Sequence, residues 1–369
     1  MTTIGDTGAP STHTIYYDSL LSTTLMAYRR TLYDNIFKDS AFLAYLRLSD
    51  AVIKQNGGER IAMPLMYGDN STVKTHGGYS VIDTTPQDGL TTAFYEWAEV
   101  AGSISISRKE ERQNSGEGRL IGLLETKIKQ AEMTMREFLN SELLLGTVSS
   151  STFVQSQADD GSYGINPLGY FCRKLKATDP TTNSVGNISS ASYSWWRTVT
   201  ADIGATADWA NDDFSLAVTT YAGLEVALKR FYNYLSRGSG GSPDLFVMDQ
   251  VSFETYENAL GNKMRYNNTK MADIGFDTIK LRGATCIWDE VVPDIHTGTA
   301  AITVGTCFGL NTNFYKLVID SETDIITTPF VEPENQTAKT AKILFMGNAA
   351  VSNMRKVGVA GEILQTIVA

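Results

Sequence analysis

The 369-residue chain has little of what most protein chemistry needs. It has only three cysteines and three histidines. Cys172, Cys286 and Cys307 are odd in number and scattered. They have neither metal-site spacing nor a disulfide pattern, and read as reduced core residues. His13, His76 and His296 are far apart in sequence and form no cluster for acid–base work. Asp159-Asp160-Gly161 begins like a calcium loop but lacks the alternating ligands and the closing glutamate. Gly238-Ser239-Gly240-Gly241-Ser242 lacks the lysine and hydroxyl that hold a nucleotide phosphate and its metal. There is no Gly-x-Ser-x-Gly elbow. These gaps exclude the common catalytic, cofactor and metal sites, and no enzymatic activity is expected.

Long apolar runs are missing too. No stretch approaches the 18 or so apolar residues of a membrane span, and the first residues read as no signal peptide. There is no internal repeat. A net charge of −10 argues against a protein built to grip phosphate backbones. It does not exclude a wall that encloses nucleic acid without sticking to it. Apolar residues make up 42% of the chain, so it is globular, with length for about two domains.

The most informative stretch runs from Gly57 to Leu145. Its first part is studded with turn signals at Gly57-Gly58, Gly68-Asp69-Asn70, Gly77-Gly78 and Pro86-Gln87-Asp88-Gly89. The apolar residues between them, from Ile61 and Met63 through Tyr67, Val73 and Tyr79 to Val81 and Ile82, are too broken up to form a core. This predicts an extended hairpin that another chain must cover. From Phe94 to Ser107 the chain reads as one half-buried strand, with Ala98, Val100, Ile104 and Ile106 on one face. Residues 108–117 read as a charged connector. A long amphipathic helix is then expected over 117–145, capped by Ser115 and stopped by Gly146, roughly 44 Å long. Its stripe is Leu120, Leu124, Ile128, Ala131, Met135, Phe138 and Leu145.

Residues 1–17 read as a polar arm, followed by helical patterns from Leu21 and after Asp39-Ser40. Residues 147–195 read as irregular. A helix is predicted from Phe214 to Leu235, a buried strand over Asp244–Met248 and a short helix over Gln250–Leu260. Strands are expected at Phe276–Leu281, Thr285–Asp289, Ala301–Val304 and Phe314–Ile319. Gly347-Asn348, between two apolar runs, reads as a hairpin turn.

Several strings, in order, resemble tailed-phage major capsid proteins of the Hong Kong 97-type fold. They are Asp83-Thr84-Thr85-Pro86-Gln87-Asp88-Gly89-Leu90, Trp97, Asn114-Ser115-Gly116-Glu117, Val185-Gly186-Asn187-Ile188 with Trp195-Trp196-Arg197, Phe330-Val331-Glu332-Pro333-Glu334-Asn335-Gln336, and Gly347-Asn348 with Ser352-Asn353-Met354-Arg355. The resemblance spans roughly residues 20–365. It implies an α+β chain with an N-terminal arm (1–50), an extended loop (51–95), a peripheral domain (96–211 with the return 329–369) and an axial domain (212–328). It also implies hexamers and pentamers of an icosahedral shell around double-stranded DNA, assembled in a host cytoplasm and carried in the virion. A separate scaffolding protein and a portal are implied partners, with decoration proteins left open. DNA contact would be non-specific, and no membrane is involved. The short arm departs from members that begin with a scaffold-like segment of about a hundred residues.

The candidate subunit-interface residues are Tyr67, Tyr79, Trp97, Trp195, Trp196, Arg197, Glu332, Glu334 and Arg355. Tryptophan and arginine are favoured at interfaces, but Trp195-Trp196-Arg197 reads equally as core packing beside a loop. The two glutamates and Arg355 read either as solvated charge or as a salt-bridged contact. Rival classes are a cellular nanocompartment shell that encloses cargo protein, an α+β enzyme, and a tail or baseplate β-protein.

Overall fold

The computed structural model describes residues 40–113, 123–144, 147–149, 152–154, 164–172, 184–190, 192–204, 213–261, 278–292, 304–333 and 337–364. The arm, the helix from Leu21, and the caps at Ser115 and Gly146 lie outside the described residues. Helix α1 spans Ala41–Leu48, and β1 to β4 span Val52–Gln55, Ile61–Met66, Leu90–Tyr95 and Ala98–Ser107. Then come α2 (Arg108–Gln113), α3 (Leu123–Leu144), β5 (Thr147–Ser149), β6 (Thr152–Val154), α4 (Leu168–Phe171), β7 (Ser184–Val185), β8 (Ile188–Ser189), β9 (Val199–Asp202) and β10 (Phe214–Ser215). They are followed by α5 (Tyr221–Leu235), β11 (Leu245–Met248), α6 (Gln250–Leu260), β12 (Ile279–Leu281), β13 (Ala284–Trp288), β14 (Val304–Leu310) and β15 (Tyr315–Asp320). The last strands are β16 (Ile326–Thr327), β17 (Ala338–Val351) and β18 (Val357–Leu364). The described residues pack as two units, one drawn from Gly102–Met135 and Thr327–Ile343, the other from Asp39–Ala101, Arg136–Ile326 and Leu344–Ala369.

In the first unit, β4 keeps the predicted alternation, with Ile104 and Ile106 buried and Ser103 and Ser105 exposed. The expected strand from Phe94 is broken, however, because Glu96 and Trp97 separate β3 from β4. A Cβ on Gly102 would lie 2.8 Å from Ile343 Cγ2, so a glycine lets the two segments close. The charged connector starts as a helix. Glu110 N–H donates to Ser107 Oγ (3.2 Å), while Ser107 N–H donates to a Glu110 carboxylate oxygen (3.2 Å). This is a reciprocal capping box, and its Ser-x-x-Glu spacing was present in the sequence. Lys127 Nζ donates to Glu110 (3.1 Å) and to Ser105 O (3.1 Å).

The second unit is built on a seven-stranded mixed sheet in the order β10-β9-β18-β14-β11-β13-β12. The sheet is not confined to residues 212–328, since β9 and β18 supply two of its strands. Leu224, Leu228, Phe231 and Leu235 of α5 are fully buried, in one cluster with Phe246, Met248, Cys286 and Cys307. Helix α5 begins at Tyr221, later than its apolar pattern predicts. Thr220 accepts from Gly223 N–H (3.2 Å) as the cap, and Phe214 instead pairs with Ala201. Helix α6 has the predicted bounds, with Asp249 accepting from Ser252 N–H (3.2 Å) and, through its other oxygen, from Thr306 N–H (3.0 Å). Of the strand expected at Ala301–Val304, only Val304 lies within the described residues, where it opens β14 (Val304–Leu310). The three cysteines are free and buried. Burial pushes the Cys286 thiol up to about 12 and raises those of Cys172 and Cys307 well above the ordinary value.

The buried side of α3 also departs from expectation. Met135, Leu139 and Leu143 are buried, four apart, while Phe138 is exposed. At 3.6 residues per turn Phe138 lies about 100° around the helix from Leu139, the middle of the buried set, and so falls off the buried face. The segment read as irregular holds the short elements from β5 to β8. Within it, Phe171 meets Tyr315 edge-on (5.9 Å), and Tyr315 lies against Phe42 of α1 (6.3 Å).

Gly347-Asn348 makes no turn. It lies within β17, where residues Gly347–Val351 pair with β15. A Cβ on Gly347 would come within 2.7 Å of Val318 O, so the glycine serves close strand approach. Asn348 cross-links three segments. Its Oδ1 accepts from Asn166 N–H (2.7 Å), and its Nδ2 donates to Glu96 O (2.8 Å).

Lys356 is among the most buried side chains. Its ammonium donates to Leu235 O (3.0 Å), Arg237 O (3.1 Å) and Gly241 O (2.7 Å), closing the C-terminal end of α5 and fixing the glycine-rich loop. Replacing Lys356 by Met keeps the stem but leaves these carbonyls without a donor. A loss of about 1–3 kcal/mol in urea unfolding is expected, with an unchanged slope.

Asp289 is buried. Burial raises its carboxyl above the ordinary 3.8, against the pull of hydrogen bonds from Val291 N–H, Asn140 and Phe42 N–H, and Glu290 adds to the rise. Asn140 Nδ2 donates to it at 3.0 Å, while Asn140 Oδ1 has no hydrogen-bond partner among the described residues. A raised folded pKa favours the fold while the acid is protonated, and that contribution is lost as pH rises through the folded value. Asp289→Asn removes the charge and keeps the shape. It is expected to melt about 2 °C higher than the parent at pH 7.5, with the gain vanishing below pH 4. Scanning calorimetry at the two pH values measures it.

Candidate subunit interface

Strands β2 and β3 pair antiparallel from Ile61–Tyr95 to Met66–Leu90. The sequence predicts a hairpin with no core of its own, and the structure divides it. Ile61, Leu65, Ala93 and Tyr95 are buried within their own subunit, so one face of the strand pair belongs to the core. The extended part starts later than residue 51, because β1 pairs in parallel with β15. Tyr95 Oη donates to Val351 O (2.7 Å), and Trp97 Nε1 donates to Gly58 O (2.9 Å).

Beyond Met66 the chain has no regular structure until Leu90. Tyr67 N–H donates to Gly89 O (2.9 Å) at the neck. A Cβ on Gly89 would lie 3.1 Å from Gly68 O, so glycines let the two segments cross. The tip is held in shape by its own polar groups. Asn70 Oδ1 accepts from Thr72 N–H and Oγ1, Asp83 Oδ1 accepts from the same groups of Thr85, and Ser71 Oγ donates to Gln87 (2.9 Å). The Thr85 hydrogen bonds hold the Asp83 carboxyl below the ordinary value. The apolar side chains of the tip find no cover. Met66 is 82% exposed, Val73 80%, Tyr79 106% and Val81 96%.

Of the candidate residues, three come together. Tyr67 stacks on Trp195 with ring centroids 5.0 Å apart and planes 15° apart. Trp195 meets Trp196 edge-on at 5.6 Å. Trp196 is buried within its own chain, and its Nε1 donates to Val185 O (2.9 Å). Arg197 Nε donates to Ser190 O (2.7 Å). Tyr79 is fully exposed at the tip, Trp97 is half-buried, and Glu332 and Arg355 are exposed. Glu334 lies outside the described residues.

The sequence reading missed Tyr193, whose ring lies 5.8 Å from Trp195. It also missed the role of Gly186-Asn187, both with positive φ (60° and 64°), which turn the β7–β8 hairpin. Gly186 O accepts from Phe94 N–H (3.1 Å), and a Cβ on Gly186 would lie 2.9 Å from Ala93 Cβ. Among the described residues no cluster of three His, Cys, Asp or Glu side chains could hold a metal ion. No helix among them is long and apolar enough to cross a membrane.

No protein-family model matches the chain. No curated protein matches it in sequence. Solved structures do match. A chain of the Cyanophage A-1(L) capsid asymmetric unit superposes with a TM-score of 0.60 at 14% identity, over 90% of this chain and 95% of that one. The capsid of Myoviridae phage XM1 gives 0.52 at 11% identity, over 91% and 96%. The holo-SrpI encapsulin complex of Synechococcus elongatus PCC 7942 gives 0.50 at 10% identity, over 93% and 96%. With its projecting β2–β3 loop, the long helix α3 and the sheet that carries α5 and α6, the chain has the Hong Kong 97-type fold of tailed-phage capsid proteins.

Proposed function

We propose that this chain is the major capsid protein of a tailed phage. It assembles into hexamers and pentamers of an icosahedral shell that encloses double-stranded DNA, in the host cytoplasm, and is a structural protein of the virion with no catalytic role. A separate scaffolding protein and a portal are its proposed partners, and its contact with DNA is non-specific, in keeping with the net charge of −10. The peripheral domain holds α3 and β17, and the axial domain holds α5 and α6 on the seven-stranded sheet that β9 and β18 complete.

The observation that carries this reading is the uncovered apolar tip between Met66 and Leu90 on a fold of this type. The tip lies over a second copy of the chain, against the exposed face of its α3, where Phe138 offers an apolar acceptor. Tyr79, Trp97, Glu332, Glu334 and Arg355 remain proposed contact residues, whereas the stacking of Tyr67 on Trp195, the burial of Trp196 and the hydrogen bond of Arg197 favour a supporting role for those four. Burying four apolar side chains of the tip contributes about 6–12 kcal/mol before ordering costs. Ordering offsets most of this, and a lattice of many copies makes the remainder permanent.

The second reading is an encapsulin-like shell around cargo protein, supported by the likeness to the Synechococcus structure. The phage capsids superpose at higher TM-scores (0.60 and 0.52 against 0.50), which favours the first reading.

The test compares the parent with a variant carrying Val73, Tyr79, Val81 and Ile82 all as Ser. The parent is expected to sediment as closed particles. The variant is expected to melt within about 3 °C of the parent and to stay as subunits or small oligomers. A parent that remains a 40.4 kDa monomer under all assembly conditions, or a variant that forms normal particles, contradicts the reading.

A further inference from the structure

The β2–β3 strand pair is a lever about 20 Å long. A swing of about 10° at its base carries its far end by roughly 3 Å, enough to miss a partner surface. Two fixed points set the direction of a lever. The first is at its root, where Tyr95 is buried and its hydroxyl donates to Val351 O.

The second point is at the far end of the strands. Tyr67 is the residue after β2, and its ring lies flat against Trp195. Trp195 stands on a firm mount. The 3₁₀ turn Ser194–Trp196 is closed by Trp196 N–H to Tyr193 O (3.0 Å), and Tyr193 N–H donates to Ser189 O (3.1 Å). The neighbouring Trp196 is buried and hydrogen-bonded to Val185 O. The β7–β8 hairpin that holds Val185 also takes the N–H of Phe94 on its Gly186 carbonyl. Described residues between 184 and 197 therefore grip both strands of the lever, β3 through Phe94 and the end of β2 through Tyr67.

We infer that Trp195 is a positioning residue: by stacking on Tyr67 within its own subunit, it sets the direction in which the apolar loop leaves the subunit before any neighbour is met. This rests on the reading of the loop as an inter-subunit contact. A lever aimed in advance loses less freedom on assembly, so subunits assemble at lower concentration. Tyr67 and Trp195 thus act mainly on one another, and the tip beyond them makes the contact between copies.

The full-length chain tests this as parent, Trp195→Ala, Trp195→Phe and Tyr67→Ala. One measurement is amide hydrogen exchange across 61–66 and 90–95 in dilute, unassembled subunits. The other is the subunit concentration at which particles first form. Trp195→Ala is expected to exchange roughly 3- to 10-fold faster in both strands and to need several-fold more subunit. Trp195→Phe, which can still stack, restores both. Tyr67→Ala reproduces the alanine effect from the exposed side of the pair, and it decides the matter if Trp195→Ala fails to fold. Parent-like exchange with poor assembly would place Trp195 in the contact between copies and overturn the inference, as would parent-like values of both. A parent that never forms particles defeats the shell reading alone, because the exchange comparison still decides whether Trp195 holds the loop.

Discussion

A subunit can bury an apolar strand face only where its own chain can reach it. One face of β2–β3 meets that condition, and Ile61, Leu65, Ala93 and Tyr95 pass into the core. The tip beyond Met66 does not. Its backbone is shaped by Asn70, Asp83 and Ser71, which form local turns and leave Val73, Tyr79 and Val81 in solvent. Exposed apolar patches of this kind mark contact surfaces, and the proposed occupant is a second copy of the chain. The rest of the second unit is arranged to carry that loop. The pairing of β1 with β15 fixes the chain that enters the loop, Val351 at the end of β17 receives its root, and the Gly186 turn and Trp195 hold its flank.

Local physics was legible in the sequence. Helix α6 has the bounds read from the sequence, and the structure shows what sets them: Asp249 caps its start, and Gly261 follows its last residue with a positive φ. The buried faces of β4 and β11, the core cysteines and the stripe of α5 followed from periodicity and residue type. The turn signals and scattered apolar residues of 57–90 pointed to a stretch without a core of its own, which holds for the exposed side chains from Met66 onward but not for Ile61 and Leu65, which are buried. The order of short strings along the chain pointed to the fold that the solved structures share.

What was misread depends on partners far away in sequence. Gly347-Asn348 has the composition of a turn, yet the glycine is needed for the approach of Val318 and the asparagine for Asn166 and Glu96. Phe214 continues the pattern of α5 but pairs with β9, and only the Thr220 cap marks the true start. Phe138 was placed in the stripe of α3 and turns outward. For Trp195 the sequence left packing and interface open together, since nothing local ties it to Tyr67 more than a hundred residues away. The signals within reach but overlooked were local ones: the Ser107–Glu110 capping box, and Gly186-Asn187 as a hairpin turn.

The central claim is that the apolar tip is completed by another copy of the same chain. Electron cryomicroscopy of particles assembled from the purified protein measures this directly. The account predicts a closed shell in which density for residues 67–89 lies on the neighbouring subunit, with Tyr79 and Val81 buried there. A closed shell in which the tip stays solvated, or folds back on its own subunit, would contradict it.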